Sequence, residues 1–174
     1  MRLDRAPVTV LLILVALAAI QAIHYYPALP NELVVHFNAA GEPNGWSQKG
    51  SFMLTYAITE AMVVVLGVGL AFLIERVPPS LVNIPHRQYW LAPERRKETA
   101  EFLANQLMWI EAATLLFLMA IAQIVYVKNL SADPPRLSRD IWYLVAAFAV
   151  AVVWLSLRII LRFGRRGQEE PGVM

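Results

Sequence analysis

The chain has 174 residues, of which 58% are hydrophobic and only 16% charged, with a mean hydropathy of +0.51; this is more apolar and less charged than an ordinary soluble domain. It contains no cysteine, which excludes disulfides, thiolate metal ligation and thiol catalysis and leaves any chemistry to oxygen and nitrogen groups. The formal net charge of +2 is too small for a nucleic-acid-binding surface, and the basic residues stand in short groups beside apolar runs, where they act as topology signals.

The first apolar run, Pro7 to Tyr25, follows Arg2 and Arg5. It ends in "IQAIHYYPALP" with no small-x-small cleavage site, so it reads as a retained membrane anchor. The loop over 26–51 comes next. Pro27 and Pro30 end the helix and extend the chain, "ELVVHF" has strand-like β-branched content, and Asn44-Gly45 is a tight-turn dipeptide. A small ordered cap containing a β-hairpin follows from these signals. Its candidate binding residues are His36, Asn38, Gly41, Asn44, Gly45 and Trp46, with Trp46 also suited to anchor the cap at the membrane interface.

The second span covers Phe52 to Ile74 and carries Glu60. In the loop over 75–104, Pro78, Pro79, Pro85 and Pro93 oppose helix up to about Ala92, after which "PERRKETAEFLANQ" predicts a helical extension leading into the third span. "YWL" within this loop is expected in the headgroup layer or against the floor of the bundle. Candidate recognition residues here are Asn83, Pro85, His86, Tyr89, Trp90, Glu94 and Arg95. The third span, Asn105 to Val127, carries Glu111, and the fourth, Ile141 to Leu161, carries Arg158. Each span is close to the ~20 residues that cross a ~30 Å hydrocarbon core. Backbone hydrogen bonding in lipid makes all four helical. The fold class is therefore all-α, a four-helix transmembrane bundle forming one membrane domain over 1–174, with a small ordered outer loop.

With the amino terminus inside, ten basic residues (Arg2, Arg5, Arg76, Arg87, Arg95, Arg96, Lys97, Arg162, Arg165 and Arg166) are cytoplasmic. Only Lys49, Lys128, Arg136 and Arg139 face outward. The positive-inside rule thus predicts both termini in the cytoplasm and a multi-pass protein of the bacterial cytoplasmic membrane.

Two long motifs, "YYPALPNELVVHFNAAGEPNGWSQKG" and, after one span, "NIPHRQYWLAPERRKET", resemble a bacterial membrane family described as domain of unknown function 1648, which is also the amino-terminal module of SdpI-type immunity proteins. The resemblance covers about the first hundred residues. It implies a membrane module that acts by binding a peptide or another membrane protein, as an immunity protein binds a secreted killing peptide.

Polar groups inside the spans narrow the remaining options. A charged side chain near the bilayer centre costs about 2.5 to 3.5 kcal/mol on insertion scales, so Glu60 and Glu111 each need a partner, a proton or water. Helical rise places them roughly 10 Å apart along the membrane normal, which argues against a tight carboxylate pair. Glu111 has Arg158, or Arg162 at the inner edge, as an ion-pair candidate, the alternative being that each snorkels to the surface. Glu60 has His24 and His36 as neighbours in depth; the three would make a histidine-histidine-carboxylate site suited to zinc, though no single-helix ligand spacing orients them. Absent that site, no cofactor is indicated. No phosphate-cradling loop, nucleophile elbow or zincin helix appears. Three function classes follow. The first is a non-enzymatic membrane protein that binds a peptide or protein through its two patterned loops, as a sensor, immunity-like or accessory component. The second is a transporter or channel subunit lined by Glu60, Glu111 and Arg158, which requires a homo-oligomer. The third is a metal-dependent membrane enzyme at His24, His36 and Glu60.

Overall fold

Prolines and apolar runs set the helix ends much as hydropathy predicts. In the computed structural model, which describes residues 3–131, 135–139 and 141–164, α1 spans Arg5–Tyr25 and stops just before Pro27. Strands β1, Glu32–Phe37, and β2, Pro43–Gln48, follow, and β2 runs directly into α2, Lys49–Leu73. A 3-10 turn at Pro79–Leu81 and a one-turn helix α3, Arg87–Trp90, lead into α4, Pro93–Ser131, and the chain closes with α5, Ile141–Gly164. Helices α1, α2, α4 and α5 are each long and apolar enough to cross a membrane. Arg2, Arg165 and Arg166, which contribute to the charge asymmetry, lie outside the described residues.

The helices do not surround a shared axis equally. Helix α4 is the hub: α1, α2 and α5 all pack on it, while α1 and α2 scarcely touch each other. Its 39 residues correspond to about 58 Å, nearly twice the hydrocarbon thickness, so it projects beyond the bilayer. Small residues along its packed faces, among them Ala104, Ala112 and Ala122, are almost fully buried and let neighbours approach closely where dispersion does much of the holding. One core cluster joins Leu11 and Leu14 of α1, Ala71 of α2 and Met108 and Leu115 of α4. Helix α5 is joined to α4 by rings: Phe117 stacks on Phe148 at 4.4 Å, and Phe102 meets Phe163 edge-on at 5.8 Å.

The proline-rich loop contains more local helix than its four prolines predict, because Pro79 occupies a first-turn position that needs no amide donor and His86 adopts a left-handed conformation (φ 51°) that starts the turn of α3. Trp90 then forms the floor of the bundle. It is 4% exposed, lies edge-on to Phe163, and donates from Nε1 to the Phe163 carbonyl at 3.3 Å. Arg96 secures the preceding chain by donating to the carbonyls of Glu75 and Val77.

Candidate functional site

At the opposite end the two strands form an antiparallel hairpin. Its turn corrects the sequence expectation. Asn44 and Gly45 lie within β2, and the chain reverses over 38–42 instead. Asn38 organises that reversal: its Oδ1 accepts from the amides of Ala40 and Glu42 at 2.9 Å each, and its own amide donates to the Glu42 carbonyl. Such an Asx arrangement competes successfully with a two-residue turn, and Gly41, at φ +77°, supplies the left-handed residue it needs. Gly45 serves the ladder differently. A Cβ there would stand 2.6 Å from the Cβ of His36 on the facing strand, so its missing side chain makes room for the first carbon of the His36 side chain.

The hairpin is locked to the helices from below and from one edge. Leu33, fully buried, joins Leu29, Ala122 and Tyr126, with Phe52 and Met53 packed around them. At the edge, Asn129 of α4 accepts from the Val34 amide at 2.8 Å and donates from Nδ2 to the Val34 carbonyl at 2.9 Å. Its carboxamide thus acts as a third strand one residue long, covering an edge that would otherwise be open. Lys49 donates to the Leu29 carbonyl and lies over the Tyr26 ring. The segment before α5 closes over the turn, where the Leu137 amide donates to the Gly41 carbonyl at 2.9 Å.

Of the loop residues singled out from sequence, His36, Asn44 and Trp46 are exposed, Trp46 at 57%, and their side chains make no hydrogen bond, ion pair or ring contact among the described residues. Asn38, Gly41 and Gly45 are structural. At the other end Asn83, Pro85, His86 and Glu94 are exposed and Trp90 is buried, while Arg95 lies over the Tyr89 ring at 3.8 Å.

The intramembrane groups are placed differently from expectation. Glu111, 4% exposed, faces Gly67 of α2, and neither carboxylate oxygen has a hydrogen-bond partner among the described residues. Arg158 is exposed on α5 and does not reach it, because Glu111 faces α2 whereas Arg158 rides on the far helix. Arg162, the other candidate, pairs with Glu98 at 2.6 Å and lies over the Phe102 ring. The histidine-histidine-carboxylate grouping is likewise not assembled: no three His, Asp or Glu side chains gather at metal-binding distance among the described residues. His24 sits on an exposed side of α1 beside Tyr25, and His36 is exposed on β1 of the hairpin. Glu60 is two turns along α2 from Gly67, so the two glutamates are spread along the helix axis as helical rise predicts.

Sequence reasoning passed over several groups that matter here. Gln21 of α1 donates to Gln123 of α4 at 2.7 Å, and Gln123 donates to the Tyr25 hydroxyl. Two glutamines within apolar spans are themselves a signal of interhelical bonding. Because α1 and α2 are held through α4, a cleft of about 420 Å³ remains between them, lined by Ala18, Ala22, Ala61, Val64 and Leu115 with Tyr56 and Glu60 at its polar point. Glu60 Oε1 and Tyr56 Oη are both buried, and the i, i+4 spacing on α2 lets the carboxylate and the phenol face each other as neighbours.

Residues 12–59 match the family described as Domain of unknown function (DUF1648). The match takes in most of α1, the whole hairpin and the first half of α2; the helix that holds them together, α4, lies beyond it. No curated protein matches the chain, and no solved structure does.

Proposed function

We propose that this protein is a non-enzymatic, multi-pass component of the bacterial cytoplasmic membrane that binds a peptide or protein partner through its hairpin cap. One observation carries this reading. The hairpin is fixed to the bundle by Leu33 and by Asn129, yet it presents Trp46 and His36 outward without partners from the described chain. A rigid mount holding an exposed aromatic suits recognition, because little ordering entropy is lost when a partner arrives and aromatic anchors dominate interface energies. The ten-to-four distribution of basic residues supports a hairpin on the outer face with both termini inside. The resemblance to the amino-terminal module of SdpI-type immunity proteins supports a secreted, membrane-active peptide as the partner class. The arrangement favours neither of the other classes, since the candidate metal ligands are dispersed and Glu111 and Arg158 do not share a path.

The test is site-specific photocrosslinking from position 46 in native membranes, followed by binding of the identified partner to the purified chain. Trp46→Ala is expected to weaken that binding tenfold or more, about 1.4 kcal/mol or above, without loss of folded protein. A partner that binds Trp46→Ala and His36→Ala as well as the parent chain overturns the reading.

A further inference from the structure

The hairpin has two edges, and the structure closes one of them. Asn129 of α4 occupies the β1 edge by bonding both the amide and the carbonyl of Val34, so those two groups point away from β2. In an antiparallel ladder such a residue stands opposite one whose own amide and carbonyl point outward on the other side, and the residue opposite Val34 is Trp46. The Lys49 amide fixes the same phase independently. It donates to the Asn31 carbonyl at 2.8 Å, which makes Lys49 and Ser47 bond inward to the β1 side and leaves Trp46 and Gln48 directed outward. The main-chain amide and carbonyl of Trp46, with the Gln48 amide, therefore line the edge of β2 remote from α4. No bond to these groups from outside the ladder occurs among the described residues.

An open sheet edge is a template for a further strand, and proteins ordinarily close it with charges, prolines or a covering segment. Strand β2 reads PNGWSQ, uncharged throughout, and its proline stands at the first position, away from Trp46. The irregularities of the ladder fall between Val34 and Phe37, so Trp46–Gln48 is a regular stretch. Lipid tails have no donor or acceptor to offer it. Pairing with the same edge of a second copy would cover a strip roughly 20 Å by 10 Å, about 200 Å² per molecule, far below the ~1,000 Å² total of a specific interface. An extended peptide supplies an amide and a carbonyl at every second residue and, having no fold of its own to hold it off, also lays side chains on the exposed Trp46 ring. We propose that the peptide partner of the hairpin cap binds by strand addition, its backbone pairing with Trp46 and Gln48 along the open edge of β2. This specifies how the recognition surface proposed above works, and it rests on that reading.

The experiment uses the full-length chain in phosphatidylcholine nanodiscs and a displayed library of random peptides of about ten residues, with Trp46→Pro as the counter-target. Proline at 46 removes the outward amide and no bond to β1, so the hairpin should keep its fold; unchanged protection of the Leu33 amide, opposite Ser47, checks this. In the free chain the Trp46 amide should exchange as an unprotected one, and an enriched peptide should slow it by about tenfold or more. Methylating the peptide's own amides at alternate residues should cost about fivefold or more in affinity, and methylation at the residues between should cost little. Trp46→Pro should bind about fivefold or more weakly than Trp46→Ala, which keeps the amide. If Trp46→Pro loses the hairpin, the methylation scan, which alters only the peptide, decides. A Trp46 amide already protected in the free chain, no enrichment over the counter-target, equal methylation effects at every position, or crosslinking of position 46 to a second copy overturns the proposal. A partner bound equally weakly by Trp46→Ala and Trp46→Pro refutes strand addition while leaving recognition through the indole intact.

Discussion

Gly67 and Glu111 provide a quantitative test of how α2 sits on α4. In an ordinary helix interior Gly→Ala stabilises by about 0.8–1 kcal/mol through backbone entropy. Here the added Cβ would lie 1.8 Å from Glu111 Oε2, 2.3 Å from Cδ and 3.0 Å from Cγ. The end of a glutamate side chain can swing aside in open space, but this one is 4% exposed and enclosed by the core that α2 and α4 share. Overpacking of that kind costs about 1–3 kcal/mol, so Gly67→Ala should destabilise by up to about 2 kcal/mol after the propensity gain is subtracted. Once Glu111 is replaced by alanine the obstacle is gone, and Gly67→Ala should then stabilise by about 1 kcal/mol. The two backgrounds differ by about 1–3 kcal/mol, a coupling energy typical of residues in contact. The four proteins of this cycle, unfolded in dodecyl maltoside and followed by tryptophan fluorescence, supply the measurement. If Gly67→Ala stabilises both backgrounds equally, the Glu111 carboxylate does not lie on Gly67 and the packing of α2 on α4 described above is wrong.

Replacing Glu111 by methionine, similar in volume and free of unpaired oxygens, should raise stability by about 1–3 kcal/mol; a fall in the unfolding midpoint would show that the carboxylate has a partner. Asn129→Ala strips Val34 of both backbone bonds, and the Val34 amide should exchange with solvent about 5- to 150-fold faster, corresponding to roughly 1–3 kcal/mol, while amides near the centre of α4 keep their protection. Gly41→Ala should destabilise the hairpin by at least 1 kcal/mol, roughly the cost of a non-glycine residue in the left-handed region, because its Cβ would also fall 2.3 Å from the Leu137 carbonyl oxygen; thermal unfolding and exchange at the Leu137 amide report both effects. The two tryptophans should separate cleanly in the same unfolding assay: Trp90→Ala, which empties the bundle floor, costs about 3–5 kcal/mol, whereas Trp46→Ala at an exposed position changes stability by about 0.5 kcal/mol or less.

Hydropathy and helix grammar made much of this architecture legible. The four spans, the start of α4 at Pro93 and the presence of a hairpin after Pro30 all follow from local properties: apolar run length, proline's missing donor and β-branched content. The turn itself was legible only in part. Asn44-Gly45 is the stronger dipeptide signal by propensity, but the side chain of Asn38 bonds two amides of its own turn, and Gly45 is needed across from His36. The choice between two local turn signals thus went to the one whose asparagine side chain bonds the amides of its own turn.

The candidate sites show the same division. Sequence alone determined that Glu60, Glu111 and Arg158 are expensive in hydrocarbon, because that cost depends only on side-chain charge and depth along a helix. It also determined that the two glutamates stand about two turns apart, since helical rise is the same everywhere. What each group faces was decided by tertiary structure. Rotation of a helix about its axis and the choice of neighbour depend on packing against the other helices, and here α4 took the central position that a symmetric bundle would share. Glu111 therefore meets Gly67 and not Arg158, the histidines stay apart, and α1 and α2, each held to α4 in preference to each other, leave between them the cleft that Tyr56 and Glu60 border.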